Sequence, residues 1–177
     1  MNKFFTLFAL AIISLLFTNC GKVDEVNPQT AIINKWTIDK IIVKSGSETY
    51  TVPLSSAKNV NIDMFTIDTD EITFKADSNL NYLESGKIKN GKWFLSENKK
   101  ELNMLDSYNY KYNATIAISD DFLTLYGKSI DPGKRSFTYD EQVMYDEIFT
   151  ALYSINVYKS DIEGQRFLQL GVQYKKN

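Results

Sequence analysis

Three groupings of side chains have the types and spacing to do chemistry, and one further residue stands alone. Ser55-Ser-Ala-Lys58 sets a serine and a lysine one helical turn apart, the Ser-x-x-Lys arrangement in which an amine activates a serine nucleophile. Neither Ser-Asp-Asn nor Lys-Thr-Gly occurs to complete that machinery, so a chance match is the plainer reading. Asp68-Thr-Asp-Glu71 gathers carboxylates, the hard oxygen ligands that calcium takes. No glycine-containing loop or distant glutamate completes a site, and a solvated strand edge or turn explains the run more simply. Tyr108, Tyr110 and Tyr112 alternate, so on an extended backbone their rings share one face. That face would make a stacking platform for a sugar or another flat ligand, with Asn109 and Asn113 beside it as hydrogen-bonding groups. Equally, the rings would line a barrel interior or the gap between helix and sheet. The isolated residue is Cys20, the one thiol of the chain.

What is missing narrows the chemistry further. The chain has no histidine, and acylation of Cys20 would leave no free thiol. Ser-His-Asp and Cys-His constellations and zinc sites built on His or Cys are therefore excluded. An enzyme here would have to work with carboxylates, Lys, Ser or Tyr, as in two-carboxylate glycoside hydrolysis. The expectation is a protein that is not an enzyme, with no catalytic residues, no metal and no cofactor. The formal net charge is −2, and without Lys3 and the rest of residues 1–19 it becomes about −3. No basic stripe offers itself to a phosphate backbone, so nucleic acid is not an expected partner. One cysteine allows no disulfide within the chain, and a chain of this length can bury a core without one.

Cys20 closes a distinctive segment. Lys3 precedes an apolar run from Phe4 to Phe17, about 14 residues long, which is the length of a secretory h-region and short for a bilayer span. Phe17-Thr-Asn-Cys20-Gly21 then resembles the signal of bacterial lipoproteins, in which cleavage before the cysteine leaves it as the lipid-bearing first residue. Asn19 departs from the small residue usual there. The resemblance implies residues 1–19 as signal peptide, lipidation at Cys20, residues 20–30 as tether and residues 31–177 as the folded domain. Lys22-Val-Asp-Glu25 looks like a short export tag, which implies an outer-membrane lipoprotein on the periplasmic or cell-surface face, the surface being favoured. Membrane attachment would come from the lipid, each buried methylene contributing about 0.8 kcal/mol.

The elements that would position the candidate residues are mostly strands. Ala31–Lys44 and Glu48–Pro53 read as strands around a Ser45-Gly-Ser turn, and Leu54–Met64 as a short helix or an irregular crossing over one end of a barrel. Further strands follow at 71–76, 79–84, 92–96, 101–105, 113–118 and 122–126, with polar turns between them and residues 85–91 taken as a turn containing two glycines. Thr138 with Glu141 forms a capping box, and Val143, Met144, Ile148, Ala151 and Leu152 recur at helical spacing behind it. Ile155–Tyr158 and the alternating run Gln165–Tyr174 read as closing strands.

Asn34-Lys-Trp36, Glu71-Ile-Thr-Phe-Lys-Ala-Asp77, Gly91-Lys-Trp93, Leu102, Leu105, Thr115-Ile-Ala-Ile118 and Leu123-Thr-Leu125 resemble the lipocalin-like lipoproteins of Gram-negative bacteria. The resemblance implies a mainly β fold: an antiparallel barrel of about eight strands, with one helix near its C-terminal end. It also implies a late arginine packed on Trp36, for which Arg166 is the candidate and Arg135 the one competitor, although Asn34 stands where lipocalins carry Gly. The functional expectation is a binding module for a small hydrophobic or glycan ligand that enters the barrel mouth and meets the tyrosines. The alternative is an interaction, accessory or inhibitor protein of a surface assembly, with a packed barrel and a protein partner.

Overall fold

The computed structural model describes residues 26–162 and 164–177. The expected signal peptide at residues 1–19, Cys20 and the expected export tag Lys22–Glu25 lie outside the described residues. Among them are nine strands: β1 (Lys35–Ser45), β2 (Glu48–Pro53), β3 (Glu71–Phe74), β4 (Asn79–Glu84), β5 (Lys87–Leu95), β6 (Glu101–Leu105), β7 (Lys111–Ile118), β8 (Phe122–Tyr126) and β9 (Leu168–Lys176). Two α-helices, α1 (Pro28–Ala31) and α2 (Tyr139–Tyr153), and a 3-10 turn at Lys159–Ile162 complete the fold.

All strand pairs are antiparallel, and the sheet closes on itself because β1 pairs with β9 along nearly its whole length. The opposite edge of β1 is shared. Its first residues pair with β3 through Trp36↔Ile72, while Lys40–Ser45 pair with β2. A bulge between Ile38 and Lys40 makes the long strand work on both stretches. One extra residue reverses the parity of the pleat, so Trp36 and Ile38 point inward before it and Ile41 and Val43 after it. The mainly β barrel with a late helix is thus the architecture of the chain.

The meander gives the barrel two ends. At the base lie α1 and the turns after β3, β5 and β7; at the mouth lie the turns after β1, β4 and β6 and the long β8–β9 connection that carries α2. Residues 54–70 form an irregular segment whose Ile62, Phe65 and Ile67 are buried in the core. Its Asn61 N–H donates to Glu147 Oε2 of α2, at 2.8 Å. Gly127, at the end of β8, makes room for both neighbours: a Cβ there would lie 2.6 Å from Met144 Cε and 2.9 Å from Phe65 Cδ1. Segment and helix therefore pack over the mouth side by side.

The helix begins where the capping box predicts. Thr138 Oγ1 accepts from Glu141 N–H, and Glu141 Oε2 accepts from Thr138 N–H at 2.8 Å. Its exit corrects the expected strand at Ile155–Tyr158. Val157 N–H donates to Leu152 O and Asn156 N–H to Tyr153 O, with Asn156 at φ 61°, a Schellman ending that turns the chain back against the helix. Residues 87–91 belong to β5 rather than to a turn. Gly91 is needed there because a Cβ would lie 2.2 Å from Leu105 O of the neighbouring strand.

Candidate functional site

Ser55 and Lys58 are both exposed in a turn after β2, and the segment forms no helix that would hold them on consecutive turns. The acidic run does not converge. Glu71 pairs outward with Lys35 at 2.7 Å, and among the described residues no group of acids is arranged to hold a metal ion. Asp68 is held above the usual carboxylate range, first by burial and then by Asp63 and Asp70. Arg166 lies beside α2 at the mouth, whereas Trp36 sits toward the base and donates its indole N–H to Ile32 O, so the expected Arg–Trp packing is not formed.

The three tyrosines do not share an extended face, because β7 begins only at Lys111 and Asn109 has φ 66°. Residues 106–110 are a tight turn organised by Asp106, which is 8% exposed. Asp106 Oδ1 accepts the backbone N–H groups of Tyr108 and Tyr110 at 2.7 and 2.9 Å, and Oδ2 accepts from the Tyr112 hydroxyl at 3.3 Å. One carboxylate thus binds all three residues, but by backbone at the first two and by side chain at the third. Tyr108 and Tyr110 project from the tip, 60% and 68% exposed, and Lys89 Nζ lies 3.4 Å from the Tyr108 hydroxyl. Tyr112 points inward beside Met104, and burial together with the Asp106 charge pushes its phenol up to about 12.

The barrel interior is occupied by its own side chains. Trp36, Leu80, Leu102, Leu123 and Tyr174 are 0% exposed, and Phe74, Trp93 and Met104 are 1% exposed. A residue lining a chamber that admits water would keep accessible surface, and these keep almost none. Trp93 meets Phe74 edge-on at 5.6 Å and donates its indole N–H to Lys75 O at 3.0 Å. On β9, opposite Ile38 and Leu123, the Tyr174 hydroxyl faces Thr66 Oγ1, yet neither oxygen completes a hydrogen bond of normal geometry. Burial raises the Tyr174 phenol far above its usual range.

The more open concavity is on the outside of α2. Helical spacing puts Tyr145, Phe149 and Tyr153 in one stripe beside the core-facing residues. With Phe137 before them and Tyr158 after, they form a run of ring contacts with centroid separations of 5.2, 4.7, 5.6 and 6.0 Å. A groove of about 640 Å³ lies between this stripe, Pro132, Lys159, Ile162 and residues 164–166, and a shallower hollow of about 270 Å³ continues it along the helix. Lys159 Nζ stands 5.7 Å from the Tyr145 ring centroid. The far wall is pinned to the β1–β2 turn: Gly46 N–H donates to Phe167 O, and a Cβ on Gly46 would lie 1.8 Å from Gln165 Oε1. Since Gly46 also has φ 60°, glycine is required there twice over. The i, i+4, i+8 aromatic spacing was the available signal for this stripe, but it stood next to the stronger core stripe.

Charge at the helix start is locally satisfied. Two contacts from Lys134 Nζ, at 2.9 and 2.7 Å, hold the Glu141 carboxyl down to about 2.

No family model matches this chain, and no curated protein matches it by sequence. Among solved structures, the chain is similar to a crystal structure of a DUF4847 family protein from Bacteroides vulgatus, at 13% identity. The alignment covers 82% of this chain and 94% of that one, with a TM-score of 0.40.

Proposed function

We propose that the chain is a lipid-tethered, non-enzymatic binding module that meets its ligand or partner on its outer surface, the barrel serving as a packed scaffold. The observation that carries this reading is the near-zero accessibility of the inward side chains, from Trp36 and Trp93 to Tyr174. A ligand inside the ring would have to displace several of them, at roughly 1.5–3 kcal/mol for each large apolar side chain exposed. The absence of histidine supports a non-enzymatic role, and the signal at Cys20 supports an outer-membrane lipoprotein with its domain outside the cytoplasm.

The decisive test is titration of the purified protein with long-chain fatty acids and other hydrophobes, followed by the fluorescence of Trp36 and Trp93. No saturable response is expected, and a stoichiometric one would overturn the packed-scaffold reading. Mass spectrometry of the native protein should find an acylated Cys20 as first residue, and an intact, unmodified N-terminus would overturn the tether. A second surface reading uses the hairpin tip. Tyr108 and Tyr110 are exposed rings on a turn that Asp106 holds rigid, the kind of pre-ordered aromatic anchor that protein partners use.

A further inference from the structure

We infer that a hollow on the outer wall of the barrel, over β5–β7, binds a neutral glycan, with one sugar ring lying on Asn103 between the Phe94 ring and Asn113. The inference rests on the outer-surface reading and names the site and ligand chemistry within it. Strand register builds the site. Phe94 stands opposite Asn103 and Asn103 opposite Asn113, so these residues form one row across the sheet, and Lys92, Leu105 and Lys111 form the next. Their strand neighbours Trp93, Leu102, Met104 and Ala114 are buried in the core, so the pleat turns both rows outward. From β5 to β7 the floor spans two strand spacings, about 9.5 Å. The hollow has a volume of about 440 Å³, within the range of small-ligand sites.

The lining selects the ligand class. Phe94 is 54% exposed and offers a ring face to sugar C–H groups. Asn103 and Asn113 each carry a donor and an acceptor on one planar amide, the complement of adjacent sugar hydroxyls, which also donate and accept. Neither side-chain amide is engaged by another described residue, whereas Lys92 Nζ on the same wall is held by Asn79 Oδ1 at 2.5 Å. Charge is not concentrated here. Among the described lining residues Lys111 is the charged one, and Glu101 stands on the same outward face of β6, two residues from Asn103. An aliphatic chain laid in the hollow would bury both amides unmatched. A peptide strand has no edge to join, because β6 is hydrogen-bonded on both sides.

The full mature protein would be titrated with neutral oligosaccharides, namely maltohexaose, cellohexaose and a mannose hexamer, and with an oligogalacturonate as the acidic control. Calorimetry gives the affinity and amide shifts locate the site. At least one neutral oligosaccharide should bind and shift residues 94, 103, 105 and 113, with an affinity that changes less than about threefold between about 50 mM and about 500 mM salt. Phe94→Ala and Asn103→Ala should each weaken binding by about tenfold. Both side chains point outward, so these variants should keep the thermal unfolding midpoint of the parent, which separates lost binding from lost folding. No binding of any neutral oligosaccharide up to about 10 mM, binding of the oligogalacturonate alone, shifts confined to other residues, or an unaffected variant would overturn the inference. None of those results touches the packed-scaffold reading, which the hydrophobe titration judges separately.

Discussion

The base and the mouth of this barrel are built by different rules. At the base the large groups are apolar and their polar atoms are matched: Trp36 donates to Ile32 O at 2.9 Å, Trp93 donates to Lys75 O, and Phe74 packs edge-on against Trp93. Toward the mouth the interior carries hydroxyls and a carboxylate. Tyr82 and Ser107 bond each other, Asp106 holds Tyr112, and the oxygens of Ser45 and Thr66 are buried without a hydrogen bond of normal geometry, as are those of Asn81 and Tyr174 on the base halves of their strands. Burying an unmatched oxygen opposes folding, whereas the fully buried indoles and Phe74 at the base favour it. The mouth also carries α2, its groove and the tyrosine hairpin. That is the division expected of the proposed packed scaffold that binds on its outer surface.

Substitutions can break or sharpen this contrast, and the largest effect should come from the base. Trp36→Ala removes a fully buried indole and should destabilise by about 3–5 kcal/mol in urea unfolding. A loss below about 1 kcal/mol would mean that the base is not the stabilising end.

At the mouth, Asp106→Ala strips the acceptor from two backbone N–H groups and the Tyr112 hydroxyl, for an expected loss of about 1–3 kcal/mol. The same variant should bring the Tyr112 phenol back toward its ordinary range, read by ultraviolet absorbance across alkaline pH. In the parent, the raised phenol of Tyr112 means that the folded state holds its proton between about pH 10 and 12 while the unfolded chain has lost it. Stability should therefore be full below pH 10 and fall as pH rises toward 12. Stability that is flat across that range would contradict the buried Asp106–Tyr112 contact.

Thr138→Ala should cost about 1 kcal/mol by opening the capping box of α2, a local effect visible as faster amide exchange in the first helical turn. The smallest change is expected from Tyr174→Phe. Removing a buried hydroxyl that lacks a normal partner should leave stability within about 1 kcal/mol of the parent, or slightly raise it. A loss of about 2 kcal/mol or more would show that this oxygen is well bonded.

Much of the framework was legible because it depends on near neighbours in the chain. Glu101–Leu105 and Phe122–Tyr126 are strands with the bounds that alternation and flanking turns indicate, and Thr138 with Glu141 marks the helix start to the residue. The alternation of Tyr108, Tyr110 and Tyr112 misled because a hydrogen-bonded aspartate can convert a strand-like pattern into a turn, and nothing in the spacing announces it. Ile155–Tyr158 has β-branched residues at strand spacing, yet those residues pack inward from a helix exit.

By itself, then, the order of residues determined an antiparallel β domain with one capped helix and chemistry without histidine. Those follow from local periodicity, turn residues and composition. Only the tertiary structure decided that the Asp39 bulge turns Ile41 and Val43 inward, that Phe65 and Met144 close over Gly127, and that Tyr145 faces Arg166 across a groove. Each of these joins segments far apart in the chain, where the outcome depends on which surfaces fill one another's space and not on the pattern within either segment.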